Sequence, residues 1–435
     1  MSRRSASSST SSATGSPRSP QWSPGSEPAG AGRGGRGAGA GGGYAVQRAA
    51  AAGMRAGSLA DPLTDAVAFR GEHQAGVVTP AQDRLHFAAL DVTGTDRGAL
   101  VDLLRRWTRA AERMTAGAEI GPGAGPHGVP QDTGEAFGLP ASALTITIGF
   151  GPSLFDERFG LASHRPAALS ELPAFAGDAL DPSRCGGDIG IQACANDPQV
   201  AVHAVRNLVR LGSGVVSVRW SQLGFGGTSS TSRAQATPRN LFGFKDGTNN
   251  LKSEDAAGVD QHVWVQPSDV PGAASWMAGG TYLVARRIRM HVEVWDRTTL
   301  QEQEDTIGRT KAVGAPLGGT SEFEPVDLAR HGADGAPAVP VDSHIALASP
   351  ARLGGVKILR RGYNFTDGSD GVGHLDAGLF FIAYVRDPGR QFVPMQRALA
   401  GRDRLNEYVR HNGSAVFACP PGTAPGRFWG EALFT

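Results

Sequence analysis

A glycine-flanked aspartate is the first place in the sequence where the residue types indicate chemistry. The segment GFKDGTNN spans 243–250, and its glycines allow tight turns and close approach of the backbone to a ligand. Asp246 offers a carboxylate, and Thr248, Asn249 and Asn250 offer polar side chains beside it. Taken alone, an Asp-Gly turn without chemistry is the simpler interpretation. The segment lacks the GxxxxGK[ST] order, so it does not predict a phosphate-binding loop.

A histidine in the segment DSHIALASP, 342–350, is a candidate metal ligand. His344 precedes a short apolar stretch, and the alternative is a loop histidine in contact with solvent. A single histidine can be the only protein ligand of a haem iron, whereas zinc needs three or four ligands. The sequence has no HExxH motif, which disfavours a zinc hydrolase.

Two adjacent arginines interrupt the apolar, aromatic segment ILRRGYNF, 358–365. A buried arginine needs an anionic partner, because an unpaired buried charge is costly. Neighbouring side chains on a strand point to opposite faces, so only one of Arg360 and Arg361 can face a given pocket. Structural ion pairs on an edge strand are the alternative interpretation of this motif.

Composition limits the classes of protein and partner. A single core rarely exceeds about 300 residues, so 435 residues predict two domains and a tail. Lys and Arg number 42, Asp and Glu 41, and the net charge of +1 gives no field to attract nucleic acid or anionic lipid. The sequence has no apolar run of about 18 residues, so no membrane span is expected.

The cysteines do not indicate a metal cluster. Cys185, Cys194 and Cys419 form no CxxC pair, which argues against a zinc site, an iron–sulfur cluster or a disulfide framework. CxxCH is also absent, so any haem must be held without covalent thioether links. The three residues are best explained as small core side chains.

The N-terminal residues 1–60 are predicted to be a disordered tail, because they are rich in Ser, Pro, Gly and Ala. Arg3-Arg4 is a twin arginine, as in Tat-type export signals. The following stretch is Gly/Ala-rich and contains arginines, unlike the apolar region of a working signal. Export to the cell envelope or the outside is favoured over a cytoplasmic location.

Residues 84–223 have the pattern β-α-β-β-α-β, the ferredoxin-like arrangement. Apolar alternation marks the strands, and Leu100, Leu103, Leu104 and Trp107 recur at helical spacing. The predicted elements are a strand at 84–94, a helix at 97–116, strands at 143–150 and 188–195, a helix from Asp197-Pro198 to about 212 and a strand at 215–223.

The same order occurs a second time. The predicted elements are a strand at 281–290, a helix containing Trp295, Leu300 and Ile307, strands at 357–365 and 378–386, a helix at 391–409 and a strand at 414–418. The fold class is therefore α+β, with two ferredoxin-like domains at 61–235 and 236–435. Each should have its own antiparallel sheet, with a cleft between the domains for a ligand. A long insertion at 312–356 contains His344, and loops of that length are usually functional.

The three chemical segments, taken together and in order, resemble the dye-decolourising peroxidase family. GFKDGTNN is similar to the family's GxxDG motif, and the His344 and Arg360 segments resemble its proximal-ligand and distal-arginine motifs. RGEHQAGVVTP at 70–80 and DAGLFFIAY at 376–384 are similar to the bacterial branch with EfeB-type deferrochelatase/peroxidases. The resemblance covers about residues 65–435.

The resemblance implies a non-covalent haem b in the cleft and a role for each matching residue. His344 would be the axial iron ligand, Asp246 the distal acid–base and Arg360 the distal cation. The other implied haem contacts are Gly247, Thr248, Asn249, Ser349, Pro350 and Ala351. The family often has an arginine at the Ala351 position, for which Arg352 is the candidate substitute. Asp376 is the candidate carboxylate partner of the proximal imidazole.

The resemblance leaves three functions to weigh. The first is a peroxidase that takes hydrogen peroxide and a bulky phenolic or dye-like electron donor, through surface Trp or Tyr radicals. The second is a deferrochelatase that removes iron from haem and leaves the porphyrin intact, alongside iron-uptake components. The third is a haem carrier or sensor, which Asp246 and Arg360 disfavour because a carrier needs no distal acid–base. A homo-oligomer is left open.

Overall fold

The computed structural model describes residues 65–435, and its first half forms the predicted β-α-β-β-α-β unit. The elements are β1 (Arg84–Val92), α1 (Arg97–Thr115), β2 (Thr145–Phe150), β3 (Ile189–Ala195), α2 (Pro198–Leu211) and β4 (Val216–Phe225). Asp197 accepts hydrogen bonds from the backbone N–H groups of Gln199 and Val200, which explains why α2 begins at Pro198. The predicted tail at 1–60 and its twin arginine lie outside the described residues.

The second half repeats the unit with more interruptions. Its elements are α3 (Ala256–His262), β5 (Thr281–Met290), α4 (Val292–Trp295), α5 (Leu300–Ile307), α6 (His344–Leu347), β6 (Leu359–Arg360), β7 (Tyr363–Ser369), β8 (Leu375–Val385), α7 (Phe392–Arg402) and β9 (Val409–Cys419). The predicted helix at 391–409 was too long. Asp403 ends α7 and caps a 3₁₀ turn at Arg404–Glu407, after which β9 begins.

The predicted strand at 357–365 is two short strands, β6 and β7. Both pair with the same edge of β8: Arg360 lies opposite Ala383, and Tyr363 opposite Phe380. Between them the Gly362 carbonyl accepts a hydrogen bond from the Thr228 N–H at 2.8 Å. The interruption therefore tethers this edge to the segment that follows β4.

The α+β class and the duplicated ferredoxin-like unit are confirmed. The first unit has the strand order β2-β3-β1-β4, and the second has β9-β5-β8 followed by β7. The prediction of two separate sheets is wrong, because the units join into one sheet with the order β5-β9-β2-β3-β1-β4-β7-β8-β6. The pairing of β5 with both β8 and β9 closes this sheet into a barrel. The domain boundary near residue 235 stays a prediction.

The interior of the barrel is filled by side chains from both units. Phe87 of β1 packs against Phe380 of β8 and Phe417 of β9, with ring centroids 5.4 and 5.9 Å apart. Gln74 closes one end by hydrogen bonding to Ile148 of β2 and to the Pro420 carbonyl. Packing of this kind fills the middle of the barrel with side chains. Among the described residues, no helix is long and apolar enough to cross a membrane.

Candidate active site

A large cavity lies within the second half of the chain, on the outer face of β5 and β8. It has a volume of about 660 Å³, and its lining residues fall between 233 and 411. Ile288, Leu379 and Phe381 form its apolar floor, while Phe380, next to two of them in sequence, points into the barrel. This cavity is formed by the second half of the chain, so it does not lie in the predicted cleft between the two units.

The turn carrying Asp246 is held by backbone geometry that only glycine adopts readily. Gly247 has a φ of +91°, and a Cβ placed there would lie 2.8 Å from the Cα of Ser229. The Asp246 N–H donates to the Pro238 carbonyl at 2.9 Å. The turn thus packs directly on the backbone that follows β4, and this fixes where the carboxylate projects.

Asn250 attaches this turn to β6. Its Oδ1 accepts from the Arg360 N–H at 2.8 Å, and its Nδ2 donates to the Arg360 carbonyl at 2.8 Å. These two hydrogen bonds satisfy both backbone groups of the residue that bears the candidate distal cation. The sequence indicated a polar side chain at 250, but the role of Asn250 in positioning Arg360 depends on a contact across 110 residues.

Asp246 and Arg360 form an ion pair in the cavity wall, with Arg360 Nη1 donating to Asp246 Oδ1. Their side chains are 12% and 24% exposed, so solvent screens the pair only partly. Arg361 points the opposite way, is fully buried, and donates to the Thr79 carbonyl and to Gln82. The alternation expected for adjacent strand residues therefore places Arg360, and not Arg361, in the cavity.

His344 lines the same cavity as the first residue of α6. Its Nδ1 lies 2.7 Å from Oδ2 of Asp403, the geometry of a ring N–H donating to a carboxylate. Burial opposes the charged imidazolium, but attraction to Asp403 and the hydrogen bond outweigh it, so the pKa of His344 is raised. With Nδ1 engaged, Nε2 is the ring nitrogen left to bind a metal.

Asp376 is not the partner of His344, and this correction has a simple cause. Asp376 shares its face of β8 with Phe380, so it points towards the inside of the barrel, where it pairs with Arg287 at 2.8 Å. Asp403 was missed because it is 59 residues from His344 in sequence. The local sequence marks Asp403 only as a capping residue. It follows α7, and its Oδ1 accepts a hydrogen bond from the Leu405 N–H of the 3₁₀ turn.

The other predicted contact residues divide into two groups. Gly247, Thr248, Asn249, Ser349 and Pro350 all line the cavity. Ala351 and Arg352 are absent from the lining, and Arg352 instead donates to the Val341 carbonyl at 2.7 Å. Arg352 is therefore not positioned as a substitute for the family's arginine.

Charged side chains of both signs line the cavity. Arg360 lowers and Asp246 raises the pKa of His344, so both act on the imidazole electrostatically across the cavity. Lys252 also lines the wall, and its Nζ donates to the carbonyl and the hydroxyl of Ser230, both at 2.7 Å. Burial, with repulsion from Arg360, lowers the pKa of Lys252 to about 8. The site therefore combines an imidazole, a carboxylate and cations around one cavity.

Family models match both halves of the chain. The model described as "Dyp-type peroxidase, N-terminal" matches residues 74–226, and "Dyp-type peroxidase, C-terminal" matches 237–424. The chain belongs to the Dyp-type peroxidase family. This confirms the resemblance inferred from the three chemical segments.

Relatives of this family member carry two different names. The dye-decolorizing peroxidase of Thermobifida fusca strain YX is 40% identical over 369 residues, covering 83% of each chain. The deferrochelatase of Escherichia coli K12 is 39% identical over 370 residues, covering 84% of this chain and 86% of the relative. Among solved structures, ferric DtpA from Streptomyces lividans has a TM-score of 0.78 at 40% identity, covering 86% of this chain and 100% of that chain.

Proposed function

We propose that this Dyp-type peroxidase binds haem b non-covalently and uses it to reduce hydrogen peroxide while oxidising bulky phenolic or dye-like donors. The observation that carries the proposal is the Asp246–Arg360 pair in the wall of the same cavity that His344 lines. A carrier or sensor needs an iron ligand but no proton-transfer group beside a fixed cation. A solved relative described as ferric supports iron as the metal.

The residues of the cavity fit a haem. An imidazole with Nδ1 held by Asp403 has its tautomer fixed, which suits Nε2 for iron. The volume of about 660 Å³ lies in the range of cofactor pockets, and the floor is apolar. His344 would ligate the iron, and Gly247, Thr248, Asn249, Ser349 and Pro350 would contact the porphyrin. When bound, haem supplies the electrons that reduce the peroxide.

The side chains of this chain transfer the proton and stabilise the developing charge. Asp246 takes the proton from one peroxide oxygen and returns it to the other as the O–O bond breaks, so the leaving oxygen departs protonated. Arg360 keeps its charge throughout and stabilises negative charge on the leaving oxygen. The two hydrogen bonds between the Asn250 side chain and the Arg360 backbone hold Arg360 in place for this role.

The test is stopped-flow measurement of the Soret change after mixing with hydrogen peroxide, across pH. Asp246→Asn should slow this change by about 10²–10⁴-fold, and Arg360→Leu by about 10²–10³-fold. Arg390→Leu, at a side chain 88% exposed, is the matched control and should react as wild type. Wild-type rates in both active-site variants, at unchanged haem content, would refute the assignment.

Deferrochelatase activity is the second candidate, because a relative with 39% identity carries that name. The physical requirement differs, since iron must leave while the porphyrin stays intact. Incubating the haem-loaded protein under reducing conditions and measuring porphyrin fluorescence separates the two functions. Metal-free porphyrin supports the deferrochelatase, whereas intact haem and a peroxide-dependent Soret change support the peroxidase.

Export is proposed from the sequence of the tail. An iron-uptake setting is proposed from the name deferrochelatase, which a relative carries. Arg3-Arg4 agrees with a Tat-type signal, which would deliver a folded protein with its haem to the cell envelope or beyond. Fractionation of the native host tests this. Full-length protein confined to the cytosol, with residues 1–45 intact, would contradict export.

A further inference from the structure

A second cavity lies inside one end of the barrel, where β4 and β7 separate. These two strands join at the single pair Phe225–Asn364 and then diverge. The opening has a volume of about 460 Å³ and shares no lining residue with the active-site cavity. Ala285, Arg287 and Phe380 line it from the inner face of β5 and β8, whereas the active-site cavity uses the outer face.

An indole forms part of the wall of this barrel-end cavity. Trp220 of β4 stacks on Phe87, with ring centroids 5.2 Å apart and planes at 16°, and meets Phe380 edge-on at 6.1 Å. Its Nε1 donates to the Gly186 carbonyl at 2.9 Å. The ring is therefore fixed, half-buried and part of the cavity lining, which makes it a rigid surface for a second aromatic ring.

Three arginines surround the same cavity, and they differ in how firmly they are held. Arg287 is buried and pairs with Asp367 and Asp376, each at 2.8 Å. Arg219 donates to the Cys185 carbonyl at 2.7 Å and pairs with Asp91 at 3.1 Å.

Arg184 is the arginine whose guanidinium remains available. Its nearest carboxylate atoms, on Asp181, Asp376 and Asp367, lie at 3.8, 3.9 and 4.0 Å, beyond hydrogen-bond distance. Within residues 65–435 no hydrogen bond from this guanidinium is found. These distances are within ion-pair range, so the three carboxylates attract the Arg184 guanidinium but do not occupy its N–H donors, which stay free to hydrogen bond to a carboxylate.

We propose that the barrel-end cavity binds a small planar aromatic carboxylate, with the carboxylate on Arg184 and the ring against Trp220. Of the three arginines in the lining, Arg287 and Arg219 already hydrogen bond to carboxylates, whereas Arg184 does not and can donate to the carboxylate of a ligand. Its volume suits one or two fused rings, and barrel mouths are common ligand sites. The proposal does not depend on the function assigned to the active-site cavity.

The test is a ligand-observed NMR titration of the haem-loaded protein, without peroxide, using 1-naphthoate and its neutral counterpart 1-naphthylmethanol. For a ligand of this size, the barrel-end cavity should bind 1-naphthoate with a dissociation constant on the order of 1 mM. Wild type should prefer the carboxylate by about tenfold, the usual worth of a charge-assisted hydrogen bond. Arg184→Gln should abolish that preference, and Arg390→Gln should retain it.

Three results would overturn the proposal. One is no saturable binding of 1-naphthoate, and another is an undiminished preference for the carboxylate in Arg184→Gln. The third is either a Soret shift caused by 1-naphthoate or displacement of 1-naphthoate by cyanide. Either result would place the ligand in the active-site cavity. Because the Arg184 side chain is 38% exposed, its replacement by Gln should leave the fold intact.

Discussion

Gly247→Ala tests two constraints on the Asp246 turn. One is the left-handed backbone at Gly247, and the other is the close contact of this residue with the backbone of Ser229 and Ser230. At a φ of +91°, alanine carries a left-handed backbone penalty of about 1–2 kcal/mol. The new Cβ would also lie 2.8 Å from Ser229 Cα and 3.1 Å from Ser230 N, which are backbone atoms that cannot rotate away. Overpacking of this kind typically costs about 1–3 kcal/mol. Gly247→Ala should therefore lower the free energy of unfolding by about 2–5 kcal/mol.

Gly368 provides the matched control. It has the same φ of +91°, but a Cβ there would meet nothing within 4 Å. Guanidinium denaturation of both alanine variants, followed by circular dichroism, should give a loss of about 1–2 kcal/mol for Gly368→Ala. The difference between the two variants is the cost of packing against the segment after β4.

The same substitution should affect the peroxide reaction. A shift of the turn by about 1 Å moves Asp246, and misplacement of that size can cost about 10²-fold in rate. Gly368 lies in the exposed part of β7, so Gly368→Ala should react with peroxide as wild type. The reasoning fails if Gly247→Ala loses no more stability than Gly368→Ala, or if its Soret change proceeds at the wild-type rate.

Three further variants test the rest of the site. His344→Ala should be purified without stable haem, and a variant with full haem and an unchanged ferric spectrum would refute the ligand assignment. Asp403→Asn should retain haem but raise its reduction potential, because the imidazole loses a negatively charged acceptor; an unchanged midpoint in spectroelectrochemistry would argue against that role. The pKa of Lys252 falls from 10.5 to about 8 on folding. Unfolded chains thus bind more protons between these values, and the Lys252 contribution to stability rises with pH there and is smallest below pH 8. Lys252→Met should lack this rise, so equal pH slopes for variant and wild type would contradict it.

Most of the regular structure could be predicted from the apolar pattern, because helices α1 and α2 have one buried face and strands β2 and β3 are buried throughout. Helix α1 begins and ends within one residue of the prediction, since Asp96 caps it and Leu100, Leu103 and Trp107 mark its buried face. The predicted ends of elements were wrong where a helical composition and a capping residue compete. The segment 391–409 continues a helical composition past Asp403, but that residue caps a new turn, and β9 begins six residues later.

Closure of the sheet could not be read from the sequence. The two seams depend on single residue pairs, Phe150 with Ala418 and Phe225 with Asn364. Neither pair has a local pattern that distinguishes a seam from an ordinary strand end. For this reason the active-site cavity was predicted in the wrong place. It lies on the outer face of the sheet and not between the two units.

The candidate site was predictable in part because its motifs are short and local. GFKDGTNN and ILRRGYNF each contain their functional residue, and strand alternation separated Arg360 from Arg361. The partners that position these residues were not predictable in the same way. Asn250 reaches Arg360 across 110 residues, and Asp403 reaches His344 across 59. Such contacts follow from the tertiary fold and not from spacing in the sequence.

Comparison of the two ferredoxin-like units explains why the cavity occurs in only one of them. In the first unit the 19-residue helix α1 places Leu103, Leu104 and Trp107 against the outer face of the sheet, where they are fully buried. In the second unit the corresponding connection holds only the short helices α4 and α5, of four and eight residues. The long insertion then brings α6 to the space that a longer helix would fill. The layer between sheet and helices, which is solid core in the first unit, thus becomes a cavity whose walls carry His344, Asp246 and Arg360.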